Sequence, residues 1–281
     1  MSIAQEGILV KFVQGKPAKT RYDFDASMKI AEDQDAEKGS ARVTKQVISA
    51  KGTKLGEVFT KFSQIHSTWK YFTHPWETGT GIMPITKLDE FMEEYRRTVR
   101  EIEDLMPLAL AELPEIRRSS EKRLGKMFKE GEFPTEDEIK GKFYMDVKIW
   151  PIPDNSDDIR TAGGSDTDAI VADAVKRQLA DQEAAITCST WTLFYEAVAK
   201  FLTTLENDEV KVTKRLTKGL AKALQHLPVM NITGNPDIEK VKAQAESLLR
   251  YTAEDLRTFD NVRKDVAKET KEVLDKIDAL M

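Results

Sequence analysis

Apolar side chains recur along most of this chain at steps of three and four, the spacing that turns one face of an α-helix toward a core. The clearest run starts at Thr86, where Thr-Lys-Leu-Asp supplies an N-cap and an acid three residues later, a variant of the capping box. Leu88, Met92, Tyr95, Val99, Ile102, Met106, Ala109, Leu113 and Ile116 then follow in alternating steps of four and three. They predict a heptad seam of about four repeats. Pro107 and Pro114 lie inside it and predict a kink or a break. An earlier helix is expected over 56–71, with Val58, Phe59, Phe62 and Ile65 on one face. It ends at His74-Pro75-Trp76, and ETGTGIMP follows as a glycine-containing loop. After the seam, a helical tail from Arg117 to Lys129 stops near Gly131, and Pro134 opens a short helix.

Two stretches read as strands. GILVKFV at 7–13 is short and β-rich, and it stops at Gly15-Lys16-Pro17. Phe143, Met145, Val147 and Ile149 alternate with Tyr144, Asp146, Lys148 and Trp150 until Pro151. An isolated strand has to pair, and each of these is the obvious partner of the other. Residues 26–50 are polar and weakly helical, with AEDQDAEKGS as a loop. Residues 154–166, rich in Asp, Gly and Ser, read as a linker. Beyond it a long helix is expected over 167–206, another over 209–226, and shorter ones from Pro236, the last with Val262, Val266, Val273, Ile277 and Leu280 in one stripe. The predicted fold is mainly α: long helical hairpins with a heptad seam and a small two-stranded β element, not an OB-fold. Its expected domains are 1–153 and 167–281, able to pack as one elongated unit.

Composition narrows the function. Of 281 residues, 43 are Lys or Arg and 48 Asp or Glu, a net charge of −5, which excludes a globally basic nucleic-acid binder. With 40% hydrophobic and 32% charged residues, the chain has enough apolar side chains for a core and the charge of long amphipathic helices. A single cysteine, Cys188, excludes an intramolecular disulfide and any multi-cysteine zinc site, so a reducing compartment is expected. No apolar run approaches the roughly 20 residues of a membrane span, and the N-terminus does not read as a signal peptide. No membrane partner is expected.

Catalytic signatures are missing from the sequence. His66, His74 and His226 have no ligand partner at helix spacing and read as isolated loop or surface residues, so no metal is expected. There is no GxxxxGK[ST] loop, no GxGxxG after a strand and no GxSxG elbow. Neither a cofactor nor an enzymatic activity is expected.

The distribution of positive charge carries more. Lys11, Lys16, Lys19 and Arg21 form one window without an acid, and Lys38, Arg42, Lys45, Lys51 and Lys54 a second. Arg117, Arg118, Lys122, Arg123, Lys126 and Lys129 offset only Glu121. Lys211, Lys214, Arg215, Lys218 and Lys222 lie in an acid-free window from Val210 to Pro236. Residues 1–150 hold 25 basic and 25 acidic side chains, leaving 43 − 25 = 18 and 48 − 25 = 23 for 151–281, so the acidic excess is C-terminal. Screening confines each window's field to about 10 Å, so a patch attracts phosphate even on an acidic protein. Beside the windows runs Trp69-Lys70-Tyr71-Phe72-Thr73-His74-Pro75-Trp76. Cations that follow a phosphate backbone, with rings that stack on bases, are how single-stranded nucleic acid is held. Trp69, Lys70, Tyr71 and Trp76 are therefore candidates, although rings at a helix end also serve as core.

From FTHPWETGTGIMP through EFMEEYRR, LGKMFKEGEFPTEDEIKGKF and WPIPDNSDDIR to LPVMNITGNPDIEKV, the chain resembles a family of uncharacterised proteins of tailed phages and integrative elements. Members of that family are neighbours of recombination genes, or of AAA+ ATPase and von Willebrand A-type genes. The chain is also similar in type to the helical single-stranded-DNA-binding cofactor of podophages that inject their own RNA polymerase. Such cofactors bind unwound promoters and recruit the phage polymerase. The resemblances imply a homo-oligomeric, non-enzymatic single-stranded DNA-binding protein in the cytoplasm of a bacterial host. Its partners would be phage RNA polymerase or replication and recombination proteins. The alternative is a helical adaptor whose heptad seam docks an AAA+ ATPase or another chain, although antiparallel hairpins bury the same stripe within one molecule.

Overall fold

The computed structural model describes residues 3–153, 165–207 and 209–281. The chain opens with α1 (Ile3–Glu6), β1 (Gly7–Gly15), β2 (Thr20–Tyr22), α2 (Phe24–Asp33) and β3 (Thr44–Gln46). It continues through α3 (Lys54–Phe72), β4 (His74–Glu77), β5 (Thr80–Pro84), α4 (Ile85–Ala111), α5 (Leu113–Leu124), α6 (Glu136–Lys142) and β6 (Tyr144–Pro151). The remainder is α7 (Ser165–Glu206), α8 (Lys214–Met230), α9 (Pro236–Glu246), α10 (Asp255–Thr258) and α11 (Asp260–Leu280). The architecture is mainly α, as the periodicity predicts.

The heptad run becomes two helices that part at Glu112. Pro107 is carried inside α4, whereas Pro114 stands in the first turn of α5, where its missing N–H costs no helix bond. Capping starts other elements. Asp23 accepts from the N–H of Ala26 at 3.0 Å ahead of α2, and Thr135 with Glu138 forms a capping box at α6.

The two predicted strands are neighbours, but the sheet has four strands in the order β4-β5-β1-β6. The stretch read as a loop supplies the others. β4 and β5 pair antiparallel with His74 opposite Ile82 and Pro75 opposite Gly81. Gly81 is needed there: a Cβ on it would sit 2.6 Å from the Cβ of Thr73. Prolines and glycines read as punctuation hid this hairpin from the periodicity. A second, two-stranded sheet pairs β2 with β3 in antiparallel register, Thr20 opposite Gln46, Arg21 opposite Lys45 and Tyr22 opposite Thr44.

Two compact units divide the chain, and not at the predicted linker. One comprises Met1–Val10, Phe72–Leu88 and Ile149–Met281, the other Lys11–Tyr71 and Asp89–Lys148. In the first unit, Phe194, Val198 and Phe201 of α7 pack with Leu220 and Leu224 of α8, Ile238 of α9, and Val266, Val273 and Ile277 of α11. Ile3 and Ile82 join Ile152, Ile186 and Ile232 in a second cluster of that unit, which is why distant early segments belong with the C-terminal helices. In the second unit, Val58, Phe59 and Phe62 of α3 pack with Ile102 and Ala109 of α4, Leu113 and Ile116 of α5, and Phe133 and Ile139. The expected linker lies outside the described residues over 154–164, and Ser165 already begins α7. The helix predicted over 209–226 runs instead from Lys214 through Pro228 to Met230.

Candidate nucleic-acid interface

The aromatic run does not behave as one surface. Trp69 is buried, its ring 5.6 Å from His66 and 6.4 Å from Phe12, so it belongs to the core rather than to a stacking platform. Trp76 is half-buried against the Ile3, Ile82 and Ile152 cluster, and it too is packing. Periodicity accounts for Trp69, because a ring in the last turn of an amphipathic helix falls on whichever face its register dictates, whereas Trp76 lies in β4 on the same face of the strand as the buried His74. Tyr71 and Lys70 face solvent.

The histidines are not isolated surface residues either. His74 is 1% exposed. Its Nε2 donates to the Met230 carbonyl at 2.7 Å, and Thr190 Oγ1 donates to the same oxygen at 3.2 Å. Burial pushes the His74 imidazole down to about 4, against the opposing pull of that carbonyl. His226 is buried as well. Among the described residues no group of three or more His, Cys, Asp and Glu side chains has the geometry of a metal site.

Lys45 is not a free cation. It is buried on the inner face of the β2–β3 ribbon, with its ammonium 2.9 Å from Asp23 and 2.7 Å from Glu132, and it donates to the Met127 carbonyl at 2.7 Å. Burial alone would lower the Lys45 pKa, but the hydrogen bonds and charges of Glu132 and Asp23 outweigh it and the net shift is upward. The Asp23 carboxyl is held below its ordinary value, first by the Ala26 N–H and then by Lys45. A sequence window counts sign and cannot see this burial.

Three of the basic windows converge on the second unit. Lys19 lies with its Nζ 3.8 Å from the centre of the Phe59 ring, and burial followed by the charge of Lys16 lowers its pKa. Lys70 and Lys16 are both close enough to help burial lower the pKa of His66. Lys19, Gln46, Lys51 and Lys61 line a cleft of about 550 Å³, and the Arg123 guanidinium donates to the backbone carbonyl of Gln46 at the rim of the same ribbon. Two residues along the same face of β2 from Thr20, Tyr22 stands exposed, with Phe24 edge-on at 6.4 Å and the Arg42 guanidinium 5.8 Å over its ring. Tyr22 and Phe24 are 44% and 60% exposed. Lys54 is paired with Glu57 and Lys129 with Asp25, which leaves Lys16, Lys19, Arg42, Lys51 and Lys70 without an ion-pair partner among the described residues. The result is one band of free cations ending in an exposed pair of rings.

Other candidates are set apart from the band. Arg21 faces the opposite side of the ribbon, next to Lys45 in register, and its charge reaches Glu138. Lys11 is half-buried in β1. Arg117 is paired with Glu130, and Arg118 turns its Nε toward the Pro114 carbonyl at 3.4 Å. Lys122 and Lys126 are exposed.

The fourth window belongs to the first unit. Lys214, Arg215, Lys218 and Lys222 of α8 line a groove of about 730 Å³ with Lys200 of α7, and among the described residues no acid lines it. Lys211 opens onto a neighbouring groove of about 1060 Å³ with Lys264, Lys268 and Lys271, where Glu206 and Asp260 also lie. These lysines of α11 escape a window count because Asp265, Glu269 and Glu272 alternate with them in sequence. Their spacing of four and three would have placed them on one helical face. Arg263, in the same groove, is structural: it donates to the carbonyls of Thr204, Leu205 and Asn207 at 3.0, 2.8 and 2.7 Å and so closes the end of α7. No described helix is long and apolar enough to cross a membrane. Compared with protein-family models, curated proteins and solved structures, the chain gives no match.

Proposed function

We propose that the protein binds single-stranded DNA without strong sequence preference and acts as a non-enzymatic cofactor in phage transcription, replication or recombination. The observation that carries this reading is the exposed Tyr22–Phe24 pair capped by Arg42, at the end of the band formed by Lys16, Lys19, Lys51 and Lys70. Rings supply stacking, worth about 1–3 kcal/mol per base, and the cations follow the phosphates. The acid-free groove of Lys200, Lys214, Arg215, Lys218 and Lys222 gives the first unit a second place for a phosphate backbone. The adaptor reading is the less favoured, since Ile102, Ala109, Leu113 and Ile116 of the seam pack in the core of their own unit, while Leu88, Met92, Tyr95, Val99 and Met106 are half-buried.

Fluorescence anisotropy with a labelled oligonucleotide tests the proposal. Saturable binding at low micromolar protein is expected in about 50 mM salt, where phosphate contacts are strong. Tyr22→Ala and Phe24→Ala should each weaken it about tenfold, as expected for loss of one stacked base, without lowering thermal stability. Trp69→Ala should lower stability instead. No anisotropy change with the intact protein, or binding indifferent to both ring substitutions, would overturn the reading.

A further inference from the structure

β6 closes one end of the four-stranded sheet, so among the described residues one edge of it has no neighbouring strand. That edge is eight residues long, and Tyr144, Ile149 and Trp150 are exposed on it. The N–H of Val147 bonds to the carboxylate of Asp146 at 2.9 Å, a local substitute for a strand partner. Because N–H groups alternate between the two edges of a strand, those of Met145 and Ile149 point the same way as that of Val147. Natural proteins commonly protect such an edge with charge, and like charges there repel a second strand. This edge instead carries one charge of each sign, Asp146 and Lys148, placed symmetrically about Val147.

The rest of the strand shares that symmetry. Counting outward from Val147, Asp146 matches Lys148, Met145 matches Ile149, and Tyr144 matches Trp150. We infer that β6 is a self-recognition strand, pairing antiparallel with β6 of a second copy of this chain about a two-fold axis through Val147. The pairing goes beyond the DNA-binding proposal and does not depend on it. In this register Val147 faces the partner's Val147, and the two exchange N–H to carbonyl bonds. Asp146 releases the N–H it caps and turns to the partner's Lys148; Met145, whose carbonyl already accepts from the Tyr95 hydroxyl of α4 at 3.2 Å and offers the partner its second lone pair, meets the partner's Ile149; and Tyr144 meets the partner's Trp150. Each contact occurs twice, as an isologous interface requires. Members of every pair lie on the same face, since side chains alternate along a strand.

Charge also selects the register. Sliding by two residues, the smallest slip that keeps the same N–H groups aimed at the partner, sets Asp146 against Asp146 or Lys148 against Lys148. Pro151, with no N–H to offer, falls just beyond the paired stretch.

Sedimentation of the full chain, from about 1 to about 100 µM protein, should show a monomer–dimer equilibrium. Asp146→Lys and Lys148→Asp each replace two attractive cross-strand pairs by two repulsive ones. Each should raise the dimer dissociation constant about thirtyfold. The double reversal, which restores opposite signs in swapped places, should bring association back to the wild-type level. Hydrogen exchange on the unmodified protein gives a readout free of mutational damage: the amides of Met145, Val147 and Ile149 should gain protection as concentration rises. A chain that stays monomeric, a dimer indifferent to the single reversals, or unchanged exchange at these amides across the association would overturn the inference.

Discussion

Lys45 and Arg42 stand three residues apart and do opposite work. The Lys45 ammonium is enclosed with Asp23 and Glu132, whereas the Arg42 guanidinium lies open to solvent above the Tyr22 ring. Removing one member of a buried ion pair leaves the other charge uncompensated. Lys45→Met should therefore cost about 3 kcal/mol in chemical denaturation, while Arg42→Ala should change stability by no more than about 0.5 kcal/mol and weaken oligonucleotide binding. A Lys45→Met protein as stable as the wild type would show that the cluster is not holding the ribbon. Of the candidate residues, Lys16, Lys19, Lys51, Lys70 and Arg42 were legible as free cations because a charge with no acid beside it in sequence often has none beside it in space. Lys45 was misread because its acids arrive from residues 23 and 132. Tyr22 and Phe24 were missed because nothing in their short polar neighbourhood signals which face of a three-residue strand, or of the first turn of α2, meets water.

Among elements, the helices were the most legible. α3 and the α4–α5 run show a strong period of 3.6, and Val58, Phe59, Phe62, Ile102, Ala109, Leu113 and Ile116 all reach the core as that period requires. The β4–β5 hairpin and the β2–β3 ribbon were not, since strands of three to five residues are too short to build a pattern. One of these overlooked strands fastens a helix end. The Met230 carbonyl at the C-terminus of α8 has no helical donor of its own; the Ile232 N–H just beyond the helix bonds to it at 3.0 Å, and His74 of β4 and Thr190 of α7 add side-chain donors. The burial of this histidine, which outweighs the opposing pull of the Met230 carbonyl, fixes a pH response. A histidine held near 4 in the folded protein and at 6.5 when unfolded binds its proton only in the unfolded chain between those values. Its contribution to stability is complete above pH 6.5 and is lost as pH falls toward 4, by roughly 3 kcal/mol. Thermal unfolding followed across this interval should show the decline, and His74→Gln should flatten it. A slope unaffected by the substitution would assign the decline to other groups.

For the whole molecule, an acidic total of −5 coexists with local binding surfaces because the acids are paired or lie elsewhere. The five unpaired cations of the band set the expected salt response. If each neutralises one phosphate, the slope of log affinity against log salt for a single strand should be about −3.5. A slope near zero in an anisotropy titration would remove the electrostatic part of the proposal. The division into units was the least legible feature, because composition shifts mark linkers and neither unit is bounded by one.

That interleaving governs the order in which the molecule comes into being. The second unit needs nothing beyond Lys148, so all of its segments have been synthesised while more than a hundred residues of the first are still to come. The first unit waits for the end of the chain, and its earliest segment, Met1–Val10, must stay available until Ile149–Met281 emerges. Closing so long a separation makes its assembly the slow step of folding. For the same reason a cut near residue 153 leaves the second unit whole on one fragment and breaks the first, because Met1–Val10 and Phe72–Leu88 part from the C-terminal helices whose core they complete.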